Sequence, residues 1–288
     1  MAEPTQKIVI PPTETPPPRP SAIPTKSFPA RIAYVVVDSD KVTSIHVADS
    51  TGLNGKALPV NDCLNDEPDW YPDGKSLLYQ SNCLGSYDIW SMNDNGSSKQ
   101  VLIGDGNFEE KEASISPSGN ELAYVRYVKG ESYNINGDLR ILKFGTGDST
   151  TGLQGRGPEY SPDGIRLAYM SFDGTAWQIF VFDFSTGKNE QLTSGNVDSR
   201  WPAWSPDGQF IVYSSATGGG NTPTGIWIIP VTGGESTPIA SGNYGRPSWS
   251  DTNWILFNSV DGLWIIHPDG TGMKQVTEDD GRTGNWSR

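Results

Sequence analysis

The chain repeats a short phrase built around Pro-Asp-Gly at nearly constant spacing, and this repeat limits its fold more than any other feature. The clearest copy reads RWPAWSPDGQFIVYSS, and related copies begin EPDWYPDG, EASISPSG, GPEYSPDG and RPSWSDTN. Aligned on the residue before Pro-Asp-Gly or its substitute, the copies lie 45, 45, 44 and 45 residues apart. The aligned residues are Tyr71, Ser116, Ser161, Ser205 and Ser250. A fixed period of this length indicates a repeat architecture.

Each repeat is predicted to contain four short strands. The first ends at an aromatic residue or Ile, and Pro-Asp-Gly then forms a tight turn because Pro fixes φ and Gly accepts positive φ. Alternating apolar runs such as SLLYQS, RLAYMS and FIVYSS follow as second strands, with runs such as GIWII as third strands. Strand-built repeats of roughly 45 residues are typical of propeller blades.

One repeat is divided between the two ends of the chain. Residues 31–60 contain its last three strands, and the C-terminal TGNWSR contains a first strand with nothing after it. We predict that this strand pairs beside RIAYVVV and closes the ring, since closure removes open sheet edges. The predicted fold is an all-β, six-bladed β-propeller of four-stranded antiparallel blades. It occupies residues 30–288.

Residues 1–29 differ from the rest of the chain, because nine of them are proline. Proline lacks a backbone donor, so this segment is predicted to be an extended, Pro-rich linker rather than part of a sheet or helix. Two interpretations of its role stay open. It is a spacer that holds the propeller away from a surface or another domain, or it is a ligand for a partner's aromatic groove.

The net charge and the lengths of the apolar runs limit which partners the chain is expected to bind. The formal net charge is −13, from 34 acidic and 21 basic residues, which argues against binding to nucleic acid or an anionic membrane surface. No stretch approaches eighteen apolar residues, so direct insertion into a membrane is not predicted. The N-terminus shows no apolar core of a signal peptide.

The spacing of the two cysteines predicts a disulfide bond. Cys63 and Cys83 each lie ten residues from Asp73, at the centre of the first hairpin, so antiparallel pairing places them opposite one another. An oxidised pair implies an extracytoplasmic location, with any signal or anchor outside this sequence. The alternative is two small buried thiols.

The RWPAWSPDG and GPEYSPDGIRLAY motifs resemble those of the TolB-type six-bladed β-propellers. The resemblance covers Ala30–Arg288, and the copies at Glu112–Tyr124 and Arg246–Phe257 are degraded. It implies a protein-binding periplasmic component, a surface sensor domain or the propeller half of a peptidase. A fold alone does not decide among these functions.

The chain offers few residues for catalysis. It has two histidines, His46 and His267, which do not cluster as metal ligands, and it lacks a Gly-x-Ser-x-Gly nucleophile motif. The turns Asn93–Gly96 and Asp269–Gly272 resemble parts of a calcium loop but lack its final acidic ligand. We therefore predict no enzyme activity, no cofactor and no metal. Paired acids such as Glu109 and Glu110 keep glycosidase-like chemistry open as an alternative.

The predicted binding site lies at the mouth of the propeller channel, on the face that carries the long, variable loops. A basic residue precedes each of five first-strand aromatic or Ile residues by three or four positions, which predicts a basic ring around that mouth. The predicted site consists of Lys111, Arg156, Arg200, Trp201, Tyr244, Arg246 and Arg282. The alternative is that each base pairs with a nearby acid or stacks on Trp201 or Tyr244.

The predicted function is a non-enzymatic binding or sensor module that recognises a protein or peptide, with an anionic group as one candidate ligand. The chain is expected to act as a monomer outside the cytoplasm. The alternative function is a propeller enzyme that acts on a saccharide or peptide through acids and bases at the channel mouth.

Overall fold

The computed structural model describes residues 31–287 except 39–40, 53–54, 61–62, 131–135, 218–222 and 278–280. These described residues form 23 β-strands in five antiparallel sheets and contain no helix. Accordingly, the described part of the chain has no helix long and apolar enough to span a membrane. The predicted Pro-rich linker lies outside the described residues.

The first sheet brings together the two ends of the described chain. Its strands, in spatial order, are β23 (Gly281–Trp286), β1 (Arg31–Val37), β2 (Thr43–Asp49) and β3 (Lys56–Ala57). β23 runs antiparallel to β1, with Trp286 opposite Ile32. The backbone N–H of Ser287 donates to Arg31 O, and the N–H of Arg31 donates to Ser287 Oγ, both at 2.8 Å. The C-terminal strand therefore lies beside β1.

Three further sheets have four strands each, arranged in chain order. They are β4 (Asn65–Trp70), β5 (Ser76–Ser81), β6 (Asp88–Asn93) and β7 (Gln100–Ile103); β15 (Val197–Trp204), β16 (Phe210–Thr217), β17 (Pro223–Pro230) and β18 (Thr237–Ala240); and β19 (Gly245–Trp249), β20 (Ile255–Ser259), β21 (Gly262–Ile266) and β22 (Lys274–Gln275). Each first strand ends at the Trp residue that the sequence assigned to that position.

The remaining sheet has seven strands and differs from the prediction. Its strands are β8 (Phe108–Ile115), β9 (Glu121–Val128), β10 (Gly137–Lys143), β11 (Gly147–Tyr160), β12 (Arg166–Phe172), β13 (Trp177–Asp183) and β14 (Asn189–Gln191). β11 is continuous over 14 residues: its first part pairs with β10 and its second part pairs with β12. Two repeats therefore share one sheet, and the described residues form five sheets rather than six separate ones.

The turns after the first strands form as the Pro-Asp-Gly phrase predicts. In the turn at residues 162–164, Gly164 has a φ of 71°, and its N–H donates to Ser161 O at 2.8 Å. The Asp163 carboxylate accepts the N–H of Ile165 at 3.0 Å, and Ser161 Oγ accepts the N–H of Arg166 at 2.9 Å. We call the end of the molecule with these turns the turn face, and the opposite end the loop face.

Aromatic and branched side chains fill the space between neighbouring sheets. Trp70, Leu77 and Tyr79 pack against Ala33 and Ile45 of the first sheet. In the same way, Trp204 lies against the preceding sheet, where its Nε1 donates to Glu159 O at 3.0 Å. The six first strands (β4, β8, β11, β15, β19 and β23), called the inner strands below, lie at one edge of their repeats.

A disulfide bond joins Cys63, just before β4, to Cys83, just after β5, with the two Cα atoms 5.3 Å apart. It therefore crosslinks the loop-face end of the first two strands of one repeat.

Candidate functional site

Each inner strand has a residue in the left-handed region of φ three positions before its final aromatic residue or Ile. At these residues, φ lies between 36° and 56°. The register with the neighbouring strand shifts at the same place, which marks a β-bulge. The six bulge residues are Glu67, Glu112, Gly157, Trp201, Arg246 and Thr283. A bulge redirects a side chain, so at these positions the side chains of the inner strands do not alternate regularly between the two faces of the sheet.

All six bulge residues line one cavity of about 110 Å³ near the loop face, which we call the loop-side cavity. Its remaining lining comes mainly from the next two residues of each inner strand, for example Pro68 and Asp69 after Glu67. The lining contains four carboxylates and one guanidinium. These charged residues are Glu67, Asp69, Glu112, Glu159 and Arg246.

Arg246 connects two distant inner strands within this cavity. Its guanidinium donates to Glu67 Oε1 on β4, and it lies 3.7 Å from the centroid of the Trp201 ring on β15. Burial raises the pKa of the Glu67 carboxyl, although the positive charge of Arg246 opposes this effect. The ion pair stacked on an indole ring therefore holds three inner strands together at the cavity.

A second ion pair ties β8 to β11. The Nε of Arg156 donates to Glu112 Oε1 at 3.0 Å, and the backbone N–H of Gly157 donates to Glu112 Oε2 at 2.7 Å. The Arg156 guanidinium also lies 5.5 Å from the Trp201 ring centroid. Trp201 therefore lies near both arginines, and both carboxylate oxygens of Glu112 have donors.

The structure brings only two of the seven predicted site residues, Trp201 and Arg246, into the lining of this cavity. Lys111 is buried, 3.7 Å from the Tyr87 ring centroid and 3.5 Å from Glu109, and burial lowers its pKa. Of the other four, Arg156 pairs with the cavity-lining Glu112, Arg200 lies 2.7 Å from Asp198, Tyr244 packs against Phe257, and Arg282 is exposed.

The expected ring of equivalent bases is replaced by a largely acidic lining. Arg246 occupies a bulge position, three residues before its aromatic residue, whereas Lys111, Arg156, Arg200 and Arg282 come one position earlier. The predicted basic ring combined residues at these two different offsets. Alignment at exactly three residues before the aromatic or Ile would have identified the six bulge residues, including Glu67 and Glu112.

The two histidines make separate contacts. His46 Nε2 lies 3.0 Å from Ser44 Oγ, and the His267 ring stacks on Trp254 with centroids 3.6 Å apart. Among the described residues, no group of three or more His, Cys, Asp or Glu side chains is arranged to hold a metal ion.

Part of the chain is similar to a known protein family. Residues 155–286 match the model of the TolB beta propeller domain. This part of the chain therefore resembles the TolB beta propeller domain. The crystal structure of TolB from Acinetobacter baumannii has the same fold, with a TM-score of 0.76 at 21% identity, and the match covers 90% of this chain and 66% of that one.

Three curated proteins are similar in sequence to this chain. Uncharacterized protein Atu1656 of Agrobacterium fabrum is 28% identical over 76% of this chain and 74% of its own length. The Tol-Pal system protein TolB of Francisella tularensis is 26% identical over 79% of this chain and 65% of its own length. Uncharacterized peptidase YuxL of Bacillus subtilis is 32% identical, but the match covers only 32% of this chain and 15% of YuxL.

Proposed function

We propose that this chain is a non-enzymatic binding module that recognises a protein or peptide at the rim of the loop-side cavity. One observation carries this proposal: six bulges direct Glu, Trp, Arg and Thr side chains, together with one glycine, to a single cavity. Left-handed φ at large side chains costs free energy and occurs preferentially at functional sites. Trp and Arg are also the side chains that most often anchor an interface.

We also propose that the TolB-type propeller has six blades in a closed ring formed by residues 30–288. In support, the inner strands contact one another in a cyclic order: β4 with β8, β8 with β11, β11 with β15, β15 with β19, β19 with β23, and β23 with β4. The continuous β11 would then serve as the outer strand of one blade and the inner strand of the next.

The charge of the lining does not favour the anionic ligand that the sequence suggested. Four carboxylates line the cavity, and its one cationic group, Arg246, already donates to Glu67. A partner that places a neutral or positively charged group near the rim would avoid repulsion from the remaining acids.

The disulfide bond between Cys63 and Cys83 supports a location outside the cytoplasm, because such bonds persist in oxidising compartments. The name of one relative, a Tol-Pal system protein, is consistent with a role in a multi-protein system. We propose that the chain acts there as a monomer whose partner is a protein or peptide.

The enzyme alternative has less support from the cavity. Glu67 and Glu112 both accept hydrogen bonds from arginines, and Asp69 accepts the N–H of Ile115 at 3.0 Å and the amide of Asn285 at 2.8 Å. Carboxylates fixed in this way stabilise the inner strands. A glycosidase instead needs two carboxyl groups free to reach the scissile bond.

The binding proposal can be tested by site-specific photo-cross-linking in the native cells. A photo-reactive amino acid replaces the exposed Arg282, next to the bulge residue Thr283, and in a control replaces Asp207 on the turn face. We expect a discrete cross-linked adduct from position 282 and none of the same mass from position 207. Arg246→Ala in the same chain should reduce the adduct several-fold, because the stacked Arg246–Glu67 pair organises the rim.

Thermal unfolding of each variant serves as the folding control. An adduct formed only from position 207, or one that Arg246→Ala does not change, would show that the partner uses another face.

A further inference from the structure

A pocket of about 440 Å³ lies at the turn face between the β4–β7 sheet and the seven-stranded sheet, and it takes no part in the proposed function. We call it the serine pocket. Its volume is in the range of about 300–1,000 Å³ that is typical of small-molecule sites. Polar side chains of the β4–β7 sheet line one side, and two aromatic rings stand beside them. The polar residues are Ser76, Ser91, Asn93 and Gln100, and the rings belong to Tyr71 and Phe144.

The pocket forms where serine occupies positions at which the other repeats have larger side chains. Ser91 of β6 lies opposite Leu78 of β5. At the same register, the third strand of each other repeat carries a β-branched aliphatic residue that packs in a cluster with side chains of the next repeat. Ser76 likewise begins a second strand that starts with Arg, Glu or Phe in four other repeats. The aliphatic residues that correspond to Ser91 are Val47, Ile141, Val181, Ile228 and Ile265.

Four side chains that line the pocket have polar groups without a hydrogen bond to any described residue. They are the hydroxyls of Tyr71, Ser76 and Ser91 and the amide of Gln100. Ser91 is only 6% exposed, and a buried polar group without a partner costs free energy. Burial raises the pKa of Tyr71 to about 12, so its hydroxyl stays protonated and can donate. The pocket therefore presents both donors and acceptors to a ligand.

The charges and rings of the lining indicate the class of ligand. None of the described residues that line the pocket is Lys, Arg or His, so an anion would find no opposite charge. The one carboxylate is that of Asp73, which is exposed and accepts the N–H of Lys75 at 2.8 Å. The Phe144 ring is 37% exposed, and Tyr71 is partly exposed, so both rings offer an accessible surface. An uncharged ligand with many hydroxyl groups and an apolar face fits this lining.

We propose that the serine pocket binds a neutral saccharide. Ser91 and Gln100 lie directly opposite one another on neighbouring strands, so their side chains can bind adjacent hydroxyl groups of one sugar ring. The C–H face of a pyranose ring packs against aromatic rings, and Tyr71 and Phe144 provide them. This site is separate from the loop-side cavity. The chain can therefore hold a saccharide at its turn face while a protein or peptide occupies its loop face.

A saccharide titration tests this proposal. The full chain is titrated with maltose, cellobiose and N,N′-diacetylchitobiose, which are neutral disaccharides, and binding is followed by saturation-transfer difference NMR. We expect saturable binding of at least one of them, and Phe144→Ala should weaken it several-fold because an aromatic contact is lost. Phe184→Ala is the matched control and should leave binding unchanged. Phe184 also follows the third strand of its repeat and is 38% exposed, but it does not line the pocket.

Two further variants separate loss of the pocket from loss of the fold. Ser91→Ile fills the pocket with a side chain that other repeats have at this position, so it should weaken binding about ten-fold or more without lowering the midpoint of thermal unfolding. Gln100→Ala removes an exposed amide and should weaken binding several-fold, and together with Phe144→Ala it decides the matter if Ser91→Ile does not fold.

Three results would overturn the proposal. The first is that none of the disaccharides shows saturable binding to the native chain. The second is that a folded Ser91→Ile chain, or the Gln100→Ala chain, binds as tightly as the native chain. The third is that Phe144→Ala and Phe184→Ala have equal effects, because the saccharide would then bind outside the serine pocket.

Discussion

Several side chains at the loop-side cavity are held in a backbone conformation that L-residues normally avoid. Glu67, Glu112, Trp201 and Arg246 all have φ values between 44° and 56°. Each such residue costs about 1 kcal/mol or more, and such conformations persist only when surrounding contacts determine them. Here the contacts are the two arginine–glutamate pairs and the stacked indole ring. The residues around the cavity are thus held in place before any partner arrives.

Burial of a single acid outside this cavity should make stability depend on pH. Glu110 is fully buried, and its Oε1 accepts from Arg126 Nε at 3.0 Å. Burial raises the Glu110 pKa from its ordinary 4.5 to about 7, although the charge of Arg126 opposes this. The pKa of Glu110 is higher in the folded state than in the unfolded state. Its contribution to the stability of the fold is therefore fully present below pH 4.5 and is lost as the pH rises through 7.

We therefore expect Glu110→Gln to remove part of the decline in stability between pH 5 and pH 8. The free energy of unfolding of the variant, relative to that of the native chain, should rise by about 2 kcal/mol from pH 5 to pH 8. Urea unfolding at both pH values measures it, with the exposed Glu190→Gln as the control. Parallel pH profiles for Glu110→Gln and the native chain would contradict the assigned pKa.

At the scale of single elements, the sequence predicted strands and turns better than it predicted side-chain directions. Pro-Asp-Gly specifies its turn through local chemistry, and apolar alternation specifies the second strands, so both could be identified from a few adjacent residues. A bulge depends on the φ of one residue and on its partner strand. It reversed the expected roles of neighbouring residues, so that Arg246 reached the loop-side cavity while Arg200 did not.

The same limit explains the seven-stranded sheet. Residues 147–160 contain four glycines, a residue type common in turns, but they form one continuous strand, β11. Whether such a segment bends or continues depends on the two neighbouring strands, β10 and β12, that flank it. The pairing of a segment with its neighbouring strands is not visible in any short stretch of sequence.

The β4–β5 hairpin provides a test at this scale, because Cys63 and Cys83 crosslink it. A disulfide that closes a loop of twenty residues is expected to stabilise the folded chain by about 3 kcal/mol. Dithiothreitol should therefore lower the urea midpoint of the native chain, and Cys63→Ser/Cys83→Ser should show the lower midpoint with or without reductant. An unchanged midpoint on reduction, with both thiols verified as free, would contradict this expectation.

For the molecule as a whole, the first sheet matters most to stability because it contains both ends of the described chain. Trp286 is 1% exposed and packs in a cluster with Ile32 and Tyr34 from β1 and with Leu256 and Leu263 from the preceding sheet. This one side chain therefore links the first strand of the fold, the last strand and a neighbouring repeat.

Trp286→Ala should accordingly destabilise the chain by about 3–5 kcal/mol, the usual loss when a large buried aromatic side chain is removed. Trp264→Ala is the matched control, because Trp264 is only partly buried, and it should cost clearly less. Thermal and urea unfolding of both variants provide the comparison. Equal losses for the two substitutions would show that the pairing of β23 with β1 does not hold the chain ends together.

The continuous strand β11 also affects how a protein of this kind can change in evolution. Loops between repeats tolerate added or lost residues. One residue added within a strand instead moves every later side chain to the opposite side of the sheet. The third and fourth repeats are joined by such a strand. Residues added or lost between these two repeats are therefore expected to disturb the sheet more than changes at the other junctions.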